Sequence, residues 1–200
     1  MVASTGTRRL RLKAGDNPVE GADTMRESRS SGRSLGPIVS SQHLAAGTHP
    51  GLSEMEYGVI LISHAFSRWM VRCMTAAGQP GLSPIEILIL HSVRHRSRPK
   101  TLADVCLALD IGDTHVANYA IRKLEKAGLI HTGRAGKEKT VRISDTGLAL
   151  CDRYAEIRNE LLVRGMSDAG PSQEEMSRIA SVLRFLSGSY DQASRAAATV

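Results

Sequence analysis

Between Thr114 and Lys123, six side chains that can hydrogen-bond or carry charge fall off the apolar side of one helix: Thr114, His115, Asn118, Tyr119, Arg122 and Lys123. These residue types suit base edges and phosphates. Asparagine can pair bidentately with adenine, arginine or lysine can meet guanine or a phosphate, and a tyrosine ring can pack on a thymine methyl. Thr114 and His115, at the helix start, suit phosphate or base edges. Further on, Arg134, Lys137 and Lys139 surround a short glycine-containing tip, and Thr101 is placed to cap a preceding helix and lend its N–H to phosphate. The chemistry expected is recognition of double-stranded DNA, not bond making. No G-x-S-x-G elbow, phosphate-cradling glycine loop or H-E-x-x-H motif is present, so neither an enzyme nor a cofactor is expected.

The elements needed to position these residues follow from periodicity. A short helix starts at Thr101 and carries Leu102, Val105, Cys106 and Leu109 on one face. Ile111-Gly112-Asp113 then turns the chain, with Gly112 expected to take a positive φ and Asp113 to cap the next helix. That helix, Thr114 to Ala127, keeps Ala117, Ala120, Ile121 and Leu124 inward and ends at Gly128. Two β-branched runs, 129–132 and 140–143, flank the basic tip as a β-hairpin. The order is that of a winged helix-turn-helix. The expected fold class is mainly α with a small β-hairpin wing, the winged helix-turn-helix (83–143) being flanked by dimerisation helices (51–78 and 145–190).

Charge sits where that module does. The 200-residue chain carries a net +6. Residues 94 to 142 alone hold eleven Lys or Arg against five Asp or Glu, so the rest of the chain is close to neutral. A localised cationic surface is the footprint of phosphate binding, because each neutralised phosphate releases condensed counterion. The alternatives left open are a winged-helix protein-interaction module and a non-specific DNA-binding protein.

Ser53-x-x-Glu56 has the form of a capping box opening a long helix to about Ala77, ended by Gly78-Gln79-Pro80-Gly81. Ser83-Pro84 starts a strongly apolar helix. After the wing, Ser144-Asp145 opens a helix to about Arg164, Gly165 to Pro171 breaks it, and an amphipathic helix follows from about Ser172 to Ser187. The apolar faces of these long helices need a partner, and a second copy, making a two-fold homodimer, is the simplest one. Residues 1 to 50 lack a sustained apolar period and are expected to be a disordered basic tail. No uncharged apolar run long enough for a membrane span or signal-peptide core occurs, so a cytoplasmic, nucleoid-associated protein is expected. Cys73, Cys106 and Cys151 lack the paired spacing of a zinc site or disulfide framework.

From about Leu52 to Leu186 the chain resembles the MarR family of bacterial transcription regulators. The resemblance rests on Leu102-Ala103-Asp104-Val105, on Leu124-Glu125-Lys126-Ala127-Gly128-Leu129-Ile130, which holds a Leu-Glu-x-x-Gly-Leu-Ile signature, and on Val141-Arg142-Ile143-Ser144-Asp145-Thr146-Gly147, matching V-x-L-T-x-x-G with Ile and Ser substituted. It implies a homodimeric repressor of palindromic operators, often released by small aromatic or phenolic ligands. The family's usual D-x-R of the wing aligns with Ala135 and Lys137, so the wing is expected to contact phosphate more than to read groove width. By the same resemblance the effector would lodge near Trp69, Arg72, Cys73, His91 and His95, with Trp69 stacking on a ring, Arg72 pairing with a carboxylate or phenolate, and Cys73 a candidate oxidant sensor. His91 and His95 are one turn apart, but no acidic or thiol partner stands at a telling spacing, so no metal site is expected.

Overall fold

The structure, a computed structural model, describes residues 49–95 and 98–200. The expectation for the tail therefore lies, apart from His49 and Pro50, outside the described residues. The element order is α1 (Pro50–Ala76), α2 (Pro84–Arg94), β1 (Lys100–Thr101), α3 (Leu102–Leu109), α4 (Thr114–Lys126), β2 (Ile130–Ala135), β3 (Glu138–Ile143), α5 (Asp145–Arg158), a π-helical segment (Asn159–Val163), α6 (Arg164–Ala169) and α7 (Gln173–Ala197). Mostly helical with one small antiparallel sheet, this is a winged helix-turn-helix with long flanking helices.

Local chemistry accounts for most boundaries. Ser83 heads α2 with Glu86 completing a capping box, and Pro84 fits the first turn because its missing N–H would have no helical partner there. Thr101 and Asp104 form the same box at α3, Asp113 Oδ1 accepts the His115 N–H at 2.8 Å at α4, and Ser172 with Glu175 caps α7. At the corner between α3 and α4 the left-handed residue is Asp110, with φ 53°, and not Gly112 as expected. Asparagine and aspartate tolerate that conformation better than other side chains, and the turn closes through Ile111 N–H to Cys106 O at 2.9 Å.

Three other boundaries depart from expectation. Helix α1 begins at Pro50, so Ser53 and Glu56 lie inside it and form no cap. The helix after the wing does not break at Gly165; it continues through the π-helical segment and α6 and ends before Gly170. Helix α7 runs on to Ala197, beyond Ser187. The hairpin also gains a strand, since β1 pairs with the outer edge of β3, Lys100 opposite Val141 and Thr101 opposite Thr140, giving the order β1-β3-β2.

The core lies between α2, α4, the sheet and α5. Ile87, Ile89, Leu90 and Val93 of α2 and Ala117, Ala120, Ile121 and Leu124 of α4 are buried, closed by Val141 from the sheet and by Leu150, Cys151 and Ile157 of α5. From α1 only the C-terminal Met70, Cys73 and Met74 are buried.

Candidate nucleic-acid interface

Helix α4 is presented by its apolar face. With Ala117, Ala120, Ile121 and Leu124 buried, the opposite side is a stripe of His115, Tyr119, Arg122 and Lys126, all exposed. Tyr119, Arg122, Lys123, Lys126 and Ala127 line a shallow concavity of about 520 Å³. Lys126 was missed in the sequence reading, although it stands four residues after Arg122 and seven after Tyr119.

The six side chains read from sequence are not equivalent. His115, Tyr119 and Arg122 point outward, and Thr114 is exposed in the first turn. Asn118 is half-buried and donates its side-chain amide to Thr114 O at 3.1 Å. Lys123 lies on the flank facing α2, where its ammonium meets Glu86 Oε2 at 2.9 Å and Gly81 O at 2.7 Å. The other flank is tied to the wing: Glu125 Oε1 accepts the Thr132 N–H at 3.2 Å and the Thr132 hydroxyl. Those two bonds, helped by the charges of Lys139 and His131, hold the Glu125 carboxyl below its ordinary range.

The wing follows from strand register. Arg134 stands directly across from Lys139, on the same face as the pairs Thr132–Val141 and Ile130–Ile143, and Gly136 turns the tip with φ 61°. Thr132, Gly133, Arg134, Lys137 and Lys139 line a concavity of about 490 Å³. Two like charges opposed across strands, with a third cation beside them, repel unless an anion sits between them. Thr101 differs: its hydroxyl accepts the Asp104 N–H at 3.0 Å and its own N–H is donated to Asp104 Oδ2 at 2.9 Å. The N–H expected to be available to phosphate is already engaged.

The signature at the strand-to-helix junction has a steric basis. Ser144 Oγ donates to Gly128 O at 2.7 Å and accepts the Gly147 N–H at 3.0 Å, while the Ser144 N–H is donated to Leu129 O at 3.1 Å. A Cβ on Gly147 would lie 2.1 Å from Leu129 O. The Gly128-Leu129 link just after α4 and the start of α5 thus touch backbone to backbone.

Of the effector candidates, Trp69, Cys73 and His91 converge on Tyr154 of α5, a residue that was not among those candidates. Cys73 Sγ lies 3.6 Å from Tyr154 O, the His91 and Tyr154 rings meet edge to face at 4.7 Å, and the Trp69 side chain lies beside the Tyr154 hydroxyl. Among the described residues His91 Nε2 is the buried side-chain nitrogen or oxygen that lacks a partner. Burial, and then the Arg94 charge, lowers the His91 pKa and favours the neutral ring. Arg72 and His95 are exposed and make no side-chain hydrogen bond to this cluster. The thiols run against oxidant sensing: all three are buried, burial raises Cys73 and pushes Cys151 up to about 11, and the reactive thiolate is disfavoured. Among the described residues no group of three or more His, Cys, Asp or Glu could hold a metal ion.

The winged helix DNA-binding domain family matches residues 82–147, from the turn before α2 to the Gly147 junction. No curated protein sequence matches the chain. Among solved structures, a cysteine-to-serine variant of E. coli MarR complexed with operator DNA is similar over 70% of this chain and 99% of its own, at 11% identity and a TM-score of 0.57. The regulator BldR of Sulfolobus solfataricus is similar over 69% of this chain and 98% of its own, at 16% identity and a TM-score of 0.57. The ligand-free organohalide-sensing regulator RdhR is similar over 80% and 87%, at 18% identity and a TM-score of 0.53.

Proposed function

Because the chain carries a winged-helix DNA-binding domain within the fold of the MarR-type regulators, we propose that it is a sequence-specific DNA-binding transcription regulator, acting as a homodimeric repressor and not as an enzyme. The observation that carries this reading is the pairing of a cationic outward stripe on α4 with a cationic wing on one winged module. The stripe of His115, Tyr119, Arg122 and Lys126 enters the major groove, and Arg134, Lys137 and Lys139 of the wing hold adjacent phosphates. With lysine in place of a braced arginine at the tip, the wing supplies affinity and α4 supplies sequence choice.

Two copies joined through α1 and α7 place two α4 helices on half-sites about one helical turn of DNA apart. Residues Trp69, His91 and Tyr154 are the place for a small aromatic or phenolic effector, which would give His91 Nε2 the partner it lacks. No helix among the described residues is long and apolar enough to cross a membrane.

The test is selection of genomic fragments by the purified protein, followed by binding measurements across a salt series. A recurring palindrome, bound less tightly at higher salt and weakened by Arg122→Ala and by Lys137→Ala, is the expected outcome. Salt-sensitive binding with no recurring sequence would mean a non-specific DNA-binding protein, and no binding at all would leave a protein-interaction module.

A further inference from the structure

Glu86 is the one charged residue buried among those described, with 3% of its surface exposed. One oxygen, Oε2, does two tasks: it accepts the Ser83 N–H at 2.7 Å, closing the cap of α2, and it meets Lys123 Nζ of α4 at 2.9 Å. The same ammonium reaches 2.7 Å to Gly81 O in the α1–α2 turn, where Gly81 takes a φ of 83° that favours glycine. A carboxylate removed from water needs a counter-charge and filled hydrogen-bond positions, and here Lys123 and the Ser83 N–H supply them.

We propose that Glu86 and Lys123 form a clamp that sets the orientation of α4, so that Lys123 is a positioning residue acting through Glu86 and not a DNA contact. The proposal rests on the DNA-binding reading of α4. Its geometry is two-sided. Lys123 fixes one flank of α4 to the α1–α2 turn, Glu125 fixes the other to Thr132 of the wing, and the reading stripe of Tyr119, Arg122 and Lys126 lies between the two. A shift of the α1–α2 turn is carried to the reading face by the bonds at Lys123 Nζ. Glu86 cannot touch DNA, yet operator choice depends on it.

The test compares Glu86→Gln, Lys123→Met and the double variant, in the full chain, for affinity to the selected operator and to unrelated duplex across a salt series. The clamp predicts that each single variant lowers the ratio of operator to unrelated affinity roughly tenfold, in the range seen for coupled neighbours, and that the double variant is no worse than the worse single. The slope of log affinity against log salt stays at the wild-type value. A phosphate-contacting Lys123 predicts the opposite on two counts: Glu86→Gln frees the cation and tightens binding, and Lys123→Met lowers the slope by about 0.9. Either result would overturn the clamp, as would lower thermal stability with an unchanged affinity ratio. If the wild-type protein selects no sequence, the DNA reading fails by itself, and amide exchange on the DNA-free protein decides the clamp. Faster exchange at 79–83 and 114–126 in both singles, no greater in the double, supports it; wild-type protection there refutes it.

Discussion

Helices α4 and α7 are both amphipathic, yet α4 buries Ala117, Ala120, Ile121 and Leu124 whereas no residue of α7 is buried. A hydrogen bond between α7 and α1 runs from the Tyr190 hydroxyl to Glu56 Oε1 at 2.7 Å, while Ile179, Val182, Leu183 and Phe185 stay exposed. On α1 the same division falls within one helix: Met70, Cys73 and Met74 are buried, and Ile60, Leu61, Ile62 and Phe66 are exposed. A small domain tolerates scattered apolar side chains at its surface, but stripes on two helices are interaction surfaces. Covering the exposed half of each such side chain contributes about 1 kcal/mol. The winged module is completed by its own chain. The flanking helices need a second surface, which in the proposed function is another copy.

The winged module is most vulnerable at its tightest contact. Gly147→Ala places a methyl 2.1 Å from Leu129 O and 3.1 Å from Ile143 Cγ1, so backbone must move and the bonds around Ser144 are strained. A destabilisation of about 3 kcal/mol or more is expected, lowering the melting temperature by roughly 10 °C in thermal unfolding. A melt within a degree or two of wild type would mean that this junction yields easily and that the module does not depend on it for its stability. The flanking surface should respond in the opposite way. Ile179→Asp with Val182→Asp is expected to leave the melt of the module nearly unchanged but to halve the mass in sedimentation, and to cost about a hundredfold in operator affinity once two half-sites are no longer engaged together. An unchanged mass would remove α7 from the interface.

What was legible in the sequence divides along similar lines. The caps at Thr101 and Asp113, the start of α7 near Ser172, the apolar face of α4 and the stop at Gly128 depend on residues close together in the chain, so spacing alone locates them. Ser53-x-x-Glu56 has the same pattern and caps nothing, because Pro50 already provides a start and the pattern cannot tell a first turn from a second. Non-local facts were hidden. Glu86 reads as a polar break in an apolar run until α4 is packed against it, and Lys123 reads as outward until its ammonium finds that carboxylate. Tyr154 joins Trp69, Cys73 and His91 only through the contact of α5 with α1 and α2. Two residues at 100–101 are too few to show a period, so the third strand could not be seen.

The reading face can be sharpened residue by residue. Arg122→Ala and Lys126→Ala should each weaken operator binding by about 1–2 kcal/mol, and for whichever cation meets a phosphate the salt slope should fall by about 0.9. Thr101→Ala should leave the slope untouched, since both its polar groups already serve the α3 cap, and should appear as a modest loss of thermal stability of about 1 kcal/mol. A lower slope in Thr101→Ala would return Thr101 to the interface and extend the reading face beyond α4.

The smallest effect concerns how the wing is held to that face. The Thr132 hydroxyl, then its N–H, hold the Glu125 carboxyl below its ordinary value of 4.5, and Lys139 and His131 act in the same direction. A carboxyl lowered in the folded state contributes stability above its unfolded value and loses it as pH falls through the folded one. The contribution is therefore full at neutral pH and declines below about pH 4.5. Glu125 is exposed, so water screens the interaction and a few tenths of a kcal/mol is the expected size. Thr132→Val removes the hydroxyl while keeping the strand's branched shape. The variant should be less stable than wild type at pH 7, the gap should narrow as pH falls below 4.5, and urea midpoints across that range measure it. A gap that is constant with pH would mean that Thr132 contributes by packing alone, and that α4 is charge-tied on its α2 flank but not on its wing flank.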